Sequence, residues 1–185
     1  MPVIPPPKDA NLGRTNYVGV AGAAGHGTIP FWSRYEGIFT NRSQTRLTDI
    51  SDGTSNTLMY GEATGGLGTI EIYNWEAGAP APSDTPDGLL HYSLSWMGVG
   101  SMRTCWGMDP VNPKHASFSS AHPGVVQFCF ADGSVRPLKH GNTAWRSNTT
   151  AAGIISTPAE SPWWVFQELA GMRDGGLRDP SGLLP

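Results

Sequence analysis

Charge is scarce in this chain: 12 Lys and Arg against 15 Asp and Glu leave only 15% of its 185 residues charged, with a net charge of −3. No basic stripe or Lys/Arg block supplies the phosphate contacts on which nucleic-acid affinity rests, so nucleic acid is not an expected partner. Long apolar runs are missing too. None approaches the ~18 residues of a membrane-crossing helix, and Met1-Pro2-Val3-Ile4-Pro5-Pro6-Pro7 is neither a signal peptide nor a helix. Cysteine is limited to Cys105 and Cys129, which allow one disulfide or two free thiols and leave the redox compartment open. The Gly/Ala-rich residues 21–27 lack the Gly-Lys-Ser/Thr ending of a P-loop and the strand-turn-helix setting of a dinucleotide fingerprint. A Gly-x-Ser-x-Gly nucleophile motif is also lacking, and Glu62, Glu71, Glu76, Asp84 and Asp87 have no spacing that fixes a pair for glycoside hydrolysis. The expectation is that this is not an enzyme.

What the chain has in abundance is turn chemistry. It carries 24 glycines and 16 prolines, about a fifth of the sequence, beside 38% hydrophobic and 10% aromatic residues. That mixture predicts one domain with a real core, short strands and long loops. Residues 1–13 read as a proline-rich lead-in and 14–185 as a single globular unit. Strands are expected at 15–20, 37–39, 56–62, 69–75 and 92–99, and a turn of helix at 46–50. Residues 64–68 and 78–88 read as loops. Ser161 caps a short helix with Pro162 in its first position, running to Ala170, stopped by Gly171 and docked on the sheet.

The clearest local signal is the run from His122 to Leu138. Val125 to Ala131 is β-branched and aromatic, Asp132-Gly133 suits a two-residue type I′ turn, and Ser134 to Leu138 returns. A two-residue loop would put Phe130 opposite Val135, Cys129 opposite Arg136, Val125 opposite His140 and His122 near Thr143. Alternation gives Val126, Phe128 and Phe130 to the core face and Val125, Gln127, Cys129 and Ala131 to the other. His122 and Asp132 would lie at opposite ends, roughly 30 Å apart along a straight strand, too far to share one site.

His122, a nine-residue spacer and Asp132-Gly133, preceded by Asp52-Gly53-Thr54-Ser55-Asn56-Thr57 and Gly61-Glu62, resemble a planctomycetal family of prepilin-like proteins with a His-X9-Asp-Gly signature and a domain of unknown function. Thr15-Asn16-Tyr17 before a Gly-rich stretch is similar to the middle of that family, so the likeness runs in patches from about residue 14 to 178. Members begin with a prepilin cleavage site and an apolar helix, which this chain lacks, and often end near Gly-Gly-Glu, where this chain reads Gly175-Gly176-Leu177. The resemblance implies an α+β, pilin-like head domain, mainly antiparallel sheet with short helices and long loops. It implies a structural role in filament assembly, secretion or surface attachment, an extracellular or periplasmic location, and partners among pilin-like subunits or the secretion machinery. The alternative is a soluble or cell-surface module that binds glycan or protein without an assembly role.

The resemblance also makes calcium the ion to consider, since pseudopilin-type proteins often hold it in C-terminal loops. Hard cations need clustered oxygens. Asp49, Ser51, Asp52, Ser55 and Asn56 offer them in one loop, and Asp174 and Asp179 in another, although Asp-Gly pairs are ordinarily turn formers. No cofactor is required. His122 and His140, brought to one end by the hairpin with His115 and Asn142 nearby in sequence, could hold zinc, but single histidines usually serve as loop hydrogen-bonders. Of seven tryptophans, Trp106 and Trp145 stand in breaker-rich segments and are the expected exposed pair; the rest suit a core.

Overall fold

Seven strands and two helices are seen in a computed structural model that describes residues 15–23, 25, 30–40, 42–63, 73–74, 79–80, 101–108, 117–141, 143, 161–176 and 178–185. The strands are Tyr17–Val20 (β1), Leu58–Glu62 (β2), Tyr73–Asn74 (β3), Ala79–Pro80 (β4), Ser101–Met102 (β5), Val125–Phe130 (β6) and Val135–Lys139 (β7). Pro30–Ser33 (α1) and Pro162–Ala170 (α2) are helical, with 3₁₀ turns at Leu47–Asp49 and Pro180–Gly182. Five strands make one mixed sheet in the order β5-β1-β2-β6-β7, parallel only between β1 and β5; β3 and β4 pair separately. The fold is α+β and mostly sheet. The expected strand at 37–39 is absent: Glu36 makes an isolated bridge to Gly22, and the segment beyond it bends. The strand expected at 92–99 lies outside the described residues, as does most of 69–75.

The hairpin forms one residue out of the expected register. Cys129 faces Val135, Phe128 faces Arg136 and Val125 faces Lys139. His140 donates its amide to the Gly124 carbonyl (3.1 Å), so neither His140 nor Val135 meets the partner a two-residue loop would give it. The turn is the cause. Gly133 donates to the Phe130 carbonyl at 2.9 Å and Phe130 to the Ser134 carbonyl at 2.8 Å, closing a three-residue loop. Gly133 sits at φ +84°, while Asp132 is not among the described residues with positive φ. Type I′ needs positive φ at both central positions; a three-residue loop with one left-handed glycine forming a bulge does not.

Alternation along β6 follows the sequence. Val126, Phe128 and Phe130 are buried at 0, 0 and 1% exposure, and Val125, Gln127 and Cys129 are half-buried on the other face. Ala131 departs from that pattern, because past the strand end it turns into a small cluster with Ile38, Ile50 and Met172. β2 carries a bulge between Leu58 and Tyr60, which lets Leu58 and Gly61 both point inward. Gly61 is required there. A Cβ at this position would lie 2.6 and 2.7 Å from two ring carbons of Phe118, and closer still to Phe128.

α2 begins where its cap says it should. Ser161 Oγ accepts the Trp163 amide at 3.2 Å, Pro162 fills the first position and Gly171 ends the helix. Its inner face lays Val165, Phe166 and Ala170 on Val18, Val20, Leu58, Phe118, Val126, Phe128 and Leu138. Each large side chain so enclosed contributes on the order of 1.5–3 kcal/mol. Trp163 and Trp164 turn to a neighbouring aromatic cluster with Trp32 and Tyr35. The fully buried Gln167 joins the helix to the segment after β5, accepting from Thr104 Oγ1 (2.7 Å) and donating to the Thr104 carbonyl (3.2 Å). Leu183 closes the far end: its side chain is in the core, and its carbonyl accepts the Lys139 amide at 2.7 Å.

Candidate functional site

The loop of residues 52–57, entering β2, touches two other parts of the chain. On one side it meets the hairpin tip. Asp132 donates its amide to the Thr54 carbonyl (3.0 Å) and Ala131 to the Thr57 carbonyl (2.9 Å). Arg136 reaches the Ser55 carbonyl at 2.5 Å, lies 3.8 Å over the Phe130 ring and pairs with Asp132 at 3.4 Å. Asp132 Oδ1 accepts from the Ser134 hydroxyl (2.7 Å) and amide (2.8 Å), and these bonds hold its carboxyl below the usual range. Thr57, fully buried, turns its hydroxyl back to the Gly53 carbonyl at 3.1 Å.

On the other side the same loop meets the C-terminal segment. Asp52 accepts the Asp174 amide at 2.8 Å and the Gly175 amide at 3.2 Å. Asp174 Oδ1 accepts the Gly176 amide at 2.6 Å. Burial, against the pull of that amide and with the added charge of Asp52, pushes the Asp174 carboxyl up to about 6. The two oxygen-rich loops named from the sequence are therefore neighbours through Asp52 and Asp174. Asp49 accepts the Arg46 amide at 2.8 Å, Asn56 donates to the Asp52 carbonyl at 3.2 Å, and Asp179 caps Ser181 at 2.9 Å. Among the described residues, no three His, Cys, Asp or Glu side chains are grouped as metal ligands.

His122 lies at the opposite end of the hairpin from Asp132, as the strand length requires. Its Nε2 is 3.5 Å from Glu62 Oε1, while Glu62 Oε2 accepts the Gln127 amide at 2.9 Å and the Glu62 carbonyl accepts the Ser119 amide at 3.0 Å. His140 is at the same end but buried, its carbonyl accepting the Thr143 hydroxyl at 2.6 Å. His115 and Asn142 lie outside the described residues.

The two cysteines are free thiols. Burial pushes the Cys105 thiol up to about 11 despite Arg103, so it stays protonated and unreactive near neutral pH. Cys129 is half-buried on the outer sheet face, opposite Val135. Trp106 is half-buried rather than exposed, and Trp145 falls outside the described residues. The exposed large apolar side chains described are Tyr17 (58%), Tyr60 (39%), Leu47 (65%) and Val135 (65%). Tyr17 and Tyr60 lie diagonally on the face turned away from α2, with Phe39 packed 4.8 Å from Tyr60. Sequence reasoning missed this face; the alternation of β1 and β2 carried the signal, hidden by the β2 bulge.

A family model described as "Protein of unknown function (DUF1559)" matches residues 4–142, about three quarters of the chain. No curated protein and no solved structure matches it.

Proposed function

The chain belongs to the DUF1559 family of proteins of unknown function, and from that premise we propose that it is the head domain of a pilin-like subunit, of the pseudopilin or minor-pilin kind, working in filament assembly, secretion or surface attachment. What supports this is the use to which the signature residues are put. Asp52, Ser55 and Thr57 bind the start of β2 to the hairpin tip and to the C-terminal segment, Gly53 accepts the Thr57 hydroxyl within that loop, and Glu62 binds the end of β2 to His122. Asp52 and one Glu62 oxygen accept backbone amides, the Thr57 hydroxyl donates to a carbonyl, and the other Glu62 oxygen, Asp132 and the Ser55 carbonyl pair within the fold with His122, Ser134 and Arg136. Such a pattern suits a domain that must keep its shape under load better than one that turns over a substrate.

In this reading the head displays its outer sheet face and loops, in an extracellular or periplasmic setting, while an apolar helix joined upstream drives polymerisation. Both edges of the sheet are poor sites for strand addition. β5 is two residues long, and β7 carries Pro137, which has no amide to donate, with Leu183 already bonded to Lys139. Neighbouring subunits would then meet through faces rather than edges. The test is the N-terminal sequence and intact mass of the native polypeptide from its source cells, together with its presence in filaments sheared from the surface. A processed apolar helix upstream of Met1 and recovery with filaments are expected. A native start at Met1 with no filament-associated protein overturns the proposal, and Tyr17 and Tyr60 then become the place to screen for glycan or peptide binding.

A further inference from the structure

We infer that the contact between Asp52 and Asp174 is a pH-sensitive latch on the C-terminal segment 171–185, closed in mild acid and loosened as the pH rises through neutrality. This stands apart from the pilin-like reading and does not depend on it. The latch is built from two carboxylates in unequal positions. Asp52 uses both oxygens on amides, those of Asp174 and Gly175, so its negative charge holds the segment. Asp174 is half-buried: Oδ1 takes the Gly176 amide, and Oδ2 packs against Gly171, itself buried and with no hydrogen-bond partner among the described residues. A protonated Asp174 fits that position. An ionised one puts an uncompensated buried oxygen beside the charge of Asp52.

The other charged groups around the latch offset this only in part: the Arg34 charge favours the ionised form, but less than burial and Asp52 disfavour it. Arg34 approaches the Asp174 main-chain carbonyl at 3.4 Å rather than its carboxylate. Arg173 is paired with Glu36 at 2.9 Å, and Arg178 with Glu168 of α2. What the latch restrains is substantial, because the same segment places Met172 against Ile38, Ile50 and Ala131, and Leu183 against the core.

The sign follows from linkage. In the closed state the Asp174 carboxyl titrates near 6, above the 3.8 expected once the segment is released. The closed state therefore binds the proton more tightly, and the stability this confers is present in acid and is lost as the pH climbs from about 4 to above 6. Because Asp174 is only partly enclosed, solvent screening reduces the effect, and the open population should rise about three- to tenfold between pH 5 and 7.5.

The experiment is amide hydrogen exchange of residues 172–176 in the full chain at pH 5, 6 and 7.5, corrected for intrinsic exchange, on the wild type and on Asp174→Asn. Protection in the wild type should fall about three- to tenfold over that range and stay level in the variant. A flat wild-type profile, or the same slope in the variant, overturns the latch. Carboxyl carbon NMR of wild-type Asp174 gives an answer even if the variant fails to fold: a midpoint near 6 supports the latch, and an ordinary carboxylate midpoint overturns it.

Discussion

Replacing Gly61 with alanine adds one methyl group to the most crowded point of the core. The new Cβ would lie 2.6 and 2.7 Å from two Phe118 ring carbons and nearer still to Phe128, where carbon atoms normally rest about 3.5–4.0 Å apart. The rings must retreat by about an ångström, yet they are already locked with Phe166, at centroid separations of 5.2, 6.3 and 5.7 Å. Overpacking of this kind costs about 1–3 kcal/mol. Gly61 is not at positive φ, so alanine also restricts the unfolded chain and returns roughly 0.5–1 kcal/mol. Three contacts below 3 Å at once place the overpacking in the upper half of its range, about 2–3 kcal/mol, so the net loss is about 1–2.5 kcal/mol, a fall in Tm of roughly 2–10 °C for a chain of this size. Thermal and urea unfolding followed by circular dichroism read it directly. Phe118→Leu, destabilising alone, should cost less in the Gly61→Ala background because the smaller side chain makes room. A Gly61→Ala protein as stable as the wild type, or two changes whose costs simply add, would refute the packing described for β2.

Gln167→Leu should destabilise by about 1–3 kcal/mol, since it strands the buried Thr104 hydroxyl, while the Thr104 carbonyl keeps the Gly107 amide; adding Thr104→Val should recover at least ~1 kcal/mol, and additive costs in urea would show that the pair is not coupled. Ser161→Ala removes the acceptor for the Trp163 amide and should cost about 1 kcal/mol, visible as a lower urea midpoint with the slope unchanged. A thiol-specific disulfide reagent at pH 8 should leave Cys105 unmodified until the protein unfolds, as expected for a buried thiol titrating near 11. The unreduced chain in urea should then titrate two thiols, and none would mean the cysteines are bridged.

Sequence legibility was greatest where one local rule governs one element. Ser161-Pro162 and Gly171 mark both ends of α2 because capping is decided within a few residues. The burial of Val126, Phe128 and Phe130 follows from alternation alone. The hairpin register was not legible: Asp132-Gly133 suits both a two-residue and a three-residue loop, and the contacts of Ala131 and Asp132 with Thr57 and Thr54 come from a loop some 75 residues earlier. At the candidate site, Asp52, Glu62, His122 and Asp132 stood out as residues, but their partners did not. Asp52 meets amides at 174 and 175, and Glu62 meets the amide of Gln127. Backbone groups have no sequence signature. The exposure of Tyr17 and Tyr60 was obscured for a related reason, since a bulge in β2 breaks the alternation that would have announced it.

The order in which the core is completed bears on how the protein is made. Val18 and Val20 leave the ribosome early, but the helix that covers them contributes Phe166 almost 150 residues later. At synthesis rates of about 5–20 residues per second, that apolar strand waits roughly 7–30 s for its cover. Through that interval the nascent chain offers its sheet-forming segments to any neighbour, so yield should depend on holding chaperones and on slow, cool expression more than on the final stability of the fold.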